Sequence, residues 1–132
     1  MERIQVAVGI VFDKDNRVLV GQRTVKDDYF QKWEFPGGKL EAGESAEAAL
    51  VREFKEEVGI EVLSSEYLMQ VDHDYPDRQV SLHVYTVDEH QDSVKPMEGQ
   101  ALQWVNLTEL NRLNFLQGNR EIIEALMLRV GA

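Results

Sequence analysis

Glu53, Glu56 and Glu57 crowd one short stretch, preceded by Gly37-Gly38-Lys39 and Glu44 and flanked by Arg52. On a helix, at about 100° per residue, the three carboxylates project within an arc of roughly 100°. Like charges so placed repel by a few tenths of a kcal/mol per pair, and Lys55 points away from them. A plain solvated acidic face is the competing reading. The glycine loop, Glu44 and Arg52 at fixed offsets weigh against it. Oxygen-rich clusters suit hard divalent cations, and Mg²⁺ bridges carboxylates to phosphates while keeping several waters. Chemistry on a phosphate chain is the first expectation.

The elements that must position these groups follow from local pattern. A helix is expected from Ser45, a good N-cap, to Gly59, which suits a left-handed C-terminal position. Leu50, Val51, Phe54 and Val58 form its apolar stripe, while residues 37–44 read as a loop. Upstream, Ile4, Val6, Val8, Ile10 and Phe12 alternate through a first strand. Asp13 to Asn16 make a turn and Arg17 to Arg23 return, predicting an early hairpin. Gly9 and Gly21 inside these strands signal close backbone approach or a bulge. Trp33 is expected in the core and Phe35 nearer a ligand. A long strand, 61–74, and its partner, 80–87, flank a turn at Tyr75-Pro76-Asp77-Arg78. A polar connection, 88–99, precedes a short strand, 101–105. Thr108 is placed to cap a short helix, and Asn119 to cap a terminal helix over 120–129 whose stripe is Ile122, Ile123, Leu126 and Val130. Strands with two helices predict an α/β sandwich, a mixed sheet flanked by helices on both sides.

Bulk properties narrow the partners. The chain has 132 residues and a formal net charge of −10, so it lacks the basic patch that a nucleic-acid polymer requires. One domain, 1–132, is expected. It contains no cysteine, which excludes disulfides and thiolate chemistry. His73, His83 and His90 are scattered and form no zinc motif. Arg3 and Gln5 interrupt the only early apolar run, so neither a signal peptide nor a membrane span is expected, and a cytoplasmic location follows.

The run Gly38-x5-Glu44-x7-Arg52-Glu53-Phe54-x-Glu56-Glu57-x-Gly59-Ile60 resembles a complete Nudix box, with every fixed position present. The resemblance implies a Nudix-fold α/β/α sandwich and hydrolysis of a nucleoside diphosphate linked to some group X. It also implies Mg²⁺, or Mn²⁺, held by Glu53, Glu56 and Glu57. By the same resemblance Arg52 holds the catalytic glutamate, Lys39 faces the phosphates, and the Gly37 carbonyl adds a ligand. Glu53 is the preferred base, with Glu44 and Glu98 as alternatives.

Beyond the box, the chain is similar to the MutT branch at Ala7-Val8-Gly9-Ile10, Arg23, residues 33–39, Tyr75-Pro76-Asp77-Arg78, Glu98-Gly99-Gln100 and Asn119. That branch hydrolyses oxidised guanine triphosphates such as 8-oxo-dGTP. The similarity implies that Asn119 reads the purine edge and that Arg23, Phe35, Asp77 and Arg78 surround base and sugar. Gly37 and Gly38 lie along the substrate, and Glu98 joins the metal site. The same chemistry on a cytidine triphosphate or a broad dNTP set is the alternative. A small nucleotide and a monomeric enzyme are the expected partnership. One departure concerns Gln117-Gly118, where related sequences carry Pro-Ala; a glycine there is expected to loosen the approach to Asn119.

Overall fold

A computed structural model describes residues 3–131, with side chains through Arg129. Strands β1 (Arg3–Val11), β2 (Arg17–Gln22), β3 (Trp33–Glu34) and β4 (Gly37–Lys39) lead to helix α1 (Ala46–Val58). Strands β5 (Glu61–Tyr75), β6 (Arg78–Gln91) and β7 (Leu102–Asn106) follow, and α2 (Arg120–Gly131) comes last. The strands form two sheets, ordered β4-β1-β6-β5 and β3-β2-β7. The first is mixed, because β1 runs parallel to β6 and antiparallel to β4. Helices cover both sides, giving the expected sandwich.

Alternation along β1 sends its side chains to two different cores. Ala7 and Val11 face Leu50, Phe54 and Val58 of α1. Val8 and Ile10 face the other side, with Ile122, Ile123 and Leu126 of α2. Gly9 is the contact point beneath α1: a Cβ there would lie 2.6 Å from Phe54 Cε1 and 2.9 Å from Leu50 Cδ1. Close approach, not a bulge, explains this glycine. Helix α1 begins where the Ser45 hydroxyl accepts from the Ala48 N–H and ends at Gly59, φ 71°.

Several expectations are corrected. β1 and β2 share a turn but no ladder, meeting only at the isolated bridge Phe12–Val18. Each strand has better partners elsewhere, so the early hairpin splits between the sheets. Residues 37–39 are strand, not loop, since Gly37 and Gly38 pair with Val8 and Ala7. β6 continues to Gln91, past the expected end at Val87, because β5 supplies a partner down to Glu61. Val51 sits at the margin of the α1 stripe and is 40% exposed. Leu107–Arg112 is a 3₁₀ helix led by Asn106 without a side-chain cap, so Thr108 does not cap it. Val130 lies outside the described side chains.

Candidate active site

Glu53 and Glu57 of α1 reach β4 at Gly38 and Gly37, where no side chain stands in their way. At Gly38 an added Cβ would overlap the Glu53 carboxylate, with Oε1 at 2.6 Å. The missing side chain is therefore the seat of Glu53. At Gly37 a Cβ would collide with the Ala7 carbonyl, so this glycine serves the strand pairing itself. The Gly37 N–H also donates to Glu57 Oε2 at 3.3 Å.

Arg52 ties the acids together from outside. Its guanidinium grips Glu44 with Nε to Oε2 at 2.8 Å and Nη2 to Oε1 at 2.9 Å. It also donates to Glu53 Oε1 at 2.7 Å and to the Lys39 carbonyl at 3.0 Å. A fork can hold two carboxylates and a strand at once, which an ammonium cannot. Glu44, further bound by the Glu41 N–H, is held down to about 2 by Arg52. A carboxylate so acidic and so fully engaged is a poor proton acceptor. Its geometry fits a brace for Arg52.

Glu53, Glu57 and Glu98 line one cavity of about 170 Å³ together with Gly37, Arg23 and Glu34. Burial, then the charges of Glu34 and Glu98, push the Glu57 carboxyl up to about 8. Burial likewise raises Glu53 and Glu34, the latter against the pull of Arg23. Glu56 is exposed at the same helix face, reached by Arg52 at 3.4 Å. Gln100 brings Glu98 to this corner: its Nε2 donates to the Glu57 carbonyl and its Oε1 accepts from the Glu98 N–H, both at 3.0 Å. Among the described residues the acids share a cavity without three of them converging on one point. That is the arrangement expected of crowded, uncompensated carboxylates. All-oxygen donors whose charge is penalised until a cation arrives suit a hard divalent ion.

A second cavity, about 220 Å³, adjoins the first and shares Arg23, Glu34 and Gly37 with it. Its wall is the apolar face of β1 and β6, with Val6, Val8 and Leu82, closed by Phe35, Arg78 and Asn119. Lys39 stands at the rim, exposed. Phe35 is both core and lining, 3% exposed and packed on Phe115 at 5.3 Å between ring centroids. Trp33, expected as core, is only half-buried. Asn119 does not act as the expected helix cap. Its side chain is turned inward, where Oδ1 accepts from the Phe35 N–H at 3.1 Å.

Arg23 and Arg78 keep buried Nε donors without partners. Among the described residues Arg78 has no carboxylate partner and lies 4.8 Å from the Tyr29 ring centroid. Arg23 is held by Asp27 at 2.9 Å and faces Glu34 at 3.7 Å. Asp77, expected with Arg23, Phe35 and Arg78 around base and sugar, does not line the cavity; it accepts from the Tyr29 hydroxyl at 2.6 Å. This bond ties the segment 24–32 to the turn between β5 and β6, and it raises the Tyr29 phenol to about 12. Tyr29, Glu34, Tyr75 and Gln100 went unassigned in the sequence. The last three stand inside motifs that pointed to their neighbours, whereas Tyr29 carries no spacing signal.

A family model described as NUDIX domain matches residues 2–126. An 8-oxo-dGTP diphosphatase from Escherichia coli (strain K12) is 35% identical over 126 residues, which is 96% of this chain and 98% of its own. A CTP pyrophosphohydrolase from the same organism is 34% identical over 127 residues, 96% of this chain and 93% of its own. A solved structure from work on MutT of Aliivibrio salmonicida and Vibrio cholerae superposes with a TM-score of 0.78 at 34% identity, covering 94% of this chain and 95% of that one.

Proposed function

The chain belongs to the Nudix hydrolase family, and from that premise we propose that it is a Mg²⁺-dependent pyrophosphohydrolase of oxidised purine triphosphates. 8-oxo-dGTP, and 8-oxo-GTP beside it, would be cut to the monophosphate and pyrophosphate, keeping mutagenic precursors out of DNA. The observation that carries this reading is the joining of two unlike cavities at Arg23, Glu34 and Gly37. One is acid-lined and suits a cation-bound triphosphate. The other has an apolar wall and an inward amide and suits a base.

Glu53, Glu56, Glu57 and Glu98, with the Gly37 carbonyl, would hold the cation. When bound, Mg²⁺, or Mn²⁺ in its place, supplies charge neutralisation for the phosphate chain and acidifies the attacking water. Glu53 takes the proton of that water. Its Oε1 is fixed by Arg52, and Oε2 has no hydrogen-bond partner among the described residues. Water adds to one phosphorus of the α–β anhydride, that phosphorus's bond to the bridging oxygen breaks, and the monophosphate and pyrophosphate separate, one carrying the oxygen of the water and the other the bridging oxygen. Lys39 at the rim and the free donors of Arg23 and Arg78 meet the negative charge of the substrate. Phe35 and the apolar wall pack the base, and Asn119 reads its edge with the amide. A single chain contributes all these groups, consistent with a monomer working on the cytoplasmic nucleotide pool.

The near-equal identity to a CTP pyrophosphohydrolase favours a second reading, the same bond cleaved in a cytidine triphosphate. The experiment is a sub-saturating panel of 8-oxo-dGTP, dGTP and CTP with Mg²⁺, following pyrophosphate, repeated with Asn119→Ala. Preference for 8-oxo-dGTP that collapses in the variant supports the first reading. Faster turnover of CTP, or a ratio that Asn119→Ala leaves unchanged, sinks it.

A further inference from the structure

Residues 117–119 form a single 3₁₀ turn between Leu116 and α2, and Gly118 in it is buried. Its N–H donates to the Tyr75 hydroxyl at 2.9 Å. A Cβ on Gly118 would stand 2.9 Å from that same oxygen, inside the separation that real side chains keep. The glycine thus does the opposite of loosening this segment: its bare backbone is what lets the hydroxyl dock. Tyr75 is in turn packed among other side chains. Its ring meets Tyr29 edge-on at 5.1 Å and His73 at 4.5 Å, with the Arg78 guanidinium 5.7 Å away.

We propose that Tyr75 is a positioning residue for base recognition, its hydroxyl accepting from the Gly118 amide and so fixing the backbone that carries Asn119. Asn119 is then clamped from two directions. Tyr75 holds the Gly118 N–H one residue before it, and the Phe35 N–H holds Oδ1, leaving Nδ2 as the group presented to a ligand. The assignment rests on the reading of Asn119 as the residue that contacts the base. It extends that reading to a side chain at the far end of β5, beyond the box that cleaves the phosphate chain.

Tyr75→Phe tests it, since the ring and its stacking remain and only the oxygen goes. A net hydrogen bond corresponds to a change of up to about tenfold in an equilibrium. KM for the best triphosphate of the panel should rise about fivefold to tenfold with kcat within about twofold, and amide exchange at Gly118 should accelerate by a similar factor. Gly118→Ala should raise KM in the natural background but add little in the Tyr75→Phe background, because the atom it strikes is already absent. Unchanged Gly118 exchange overturns the proposal, and so does faster exchange with unchanged KM. If the unaltered enzyme shows no preference for an oxidised purine, the substrate reading fails by itself. Exchange at Gly118 and KM for whichever triphosphate is best still judge the latch.

Discussion

Gly38→Ala offers a separation of chemistry from stability. The added methyl overlaps the Glu53 carboxylate, whose Oε1 would be 2.6 Å away where ordinary contact begins near 3.4 Å. The carboxylate must therefore retreat by about 1 Å, and a misplacement of that size costs about 10²-fold in rate, close to 2.7 kcal/mol of barrier. What yields is the flexible end of a side chain, so the fold should hardly notice. Gly37→Ala is the contrasting neighbour. There the methyl strikes the Ala7 carbonyl, and only separation of β1 from β4 relieves it. Overpacking against backbone costs about 1–3 kcal/mol or more from a total of about 5–15. Steady-state pyrophosphate release and urea unfolding on both variants check the pair. Gly38→Ala should lose kcat by about 10²-fold with stability within about 1 kcal/mol of the parent, whereas Gly37→Ala should be plainly destabilised. A Gly38→Ala enzyme within about threefold of the parent kcat would refute the argument that the bare strand seats the reacting carboxylate.

Arg52→Lys keeps the charge but not the fork that spans Glu44, Glu53 and the Lys39 carbonyl; at about 1.5–3 kcal/mol per charged hydrogen bond lost, kcat should fall at least tenfold, and near-parental turnover would show that the brace is dispensable. Gly9→Ala should destabilise by about 1–3 kcal/mol in urea unfolding, because Phe54 and Leu50 leave no room for a methyl; an unchanged midpoint would refute it. Glu57, raised to about 8, binds a proton in the folded state that the unfolded chain releases above about 4.3. Cation-free stability is therefore full below that lower value and is lost as the pH rises through about 8. Tm in chelator should decline over this window, added Mg²⁺ should recover more at the alkaline end, and Glu57→Gln should flatten the decline; a cation-free Tm that climbs with pH contradicts the burial argument.

The acid cluster was legible because it lies on one helix, where spacing alone sets direction. Ser45 and Gly59 mark the ends of α1 by local chemistry, and both act as read. The hairpin was not legible, since β1 and β2 are as good a pair in sequence as the pairs the fold makes. Only the parallel partnership with β6, more than 70 residues away, decides the matter. The strand at 37–39 was hidden for a related reason. Glycine has low strand propensity, and its use here is to admit Ala7 and Glu53 from other elements. Gly118 misled in the same way. A missing side chain looks like freedom in sequence, and in the fold it is the space taken by Tyr75.

These observations divide the site by how its parts are held. The α1 acids proposed to act on phosphate share one capped helix, where Arg52 braces Glu53 against Glu44, and Glu98 joins their cavity from the segment before β7. The proposed recognition groups, Arg23, Phe35, Arg78 and Asn119, come instead from strand ends and connecting segments, with 24–32, 75–78 and 117–119 beside them. Three side-chain contacts link these segments to the rest of the site: Tyr29 to Asp77 at 2.6 Å, Tyr75 to Gly118 at 2.9 Å and Phe35 to Asn119 at 3.1 Å. One substitution can release any of these ties without moving α1. The bond that is broken should then persist through changes that alter whose bond it is, and relatives of nearly equal identity can act on different bases. On the proposed reading, substrate choice in this chain is better sought in those three contacts than in identity summed over its length.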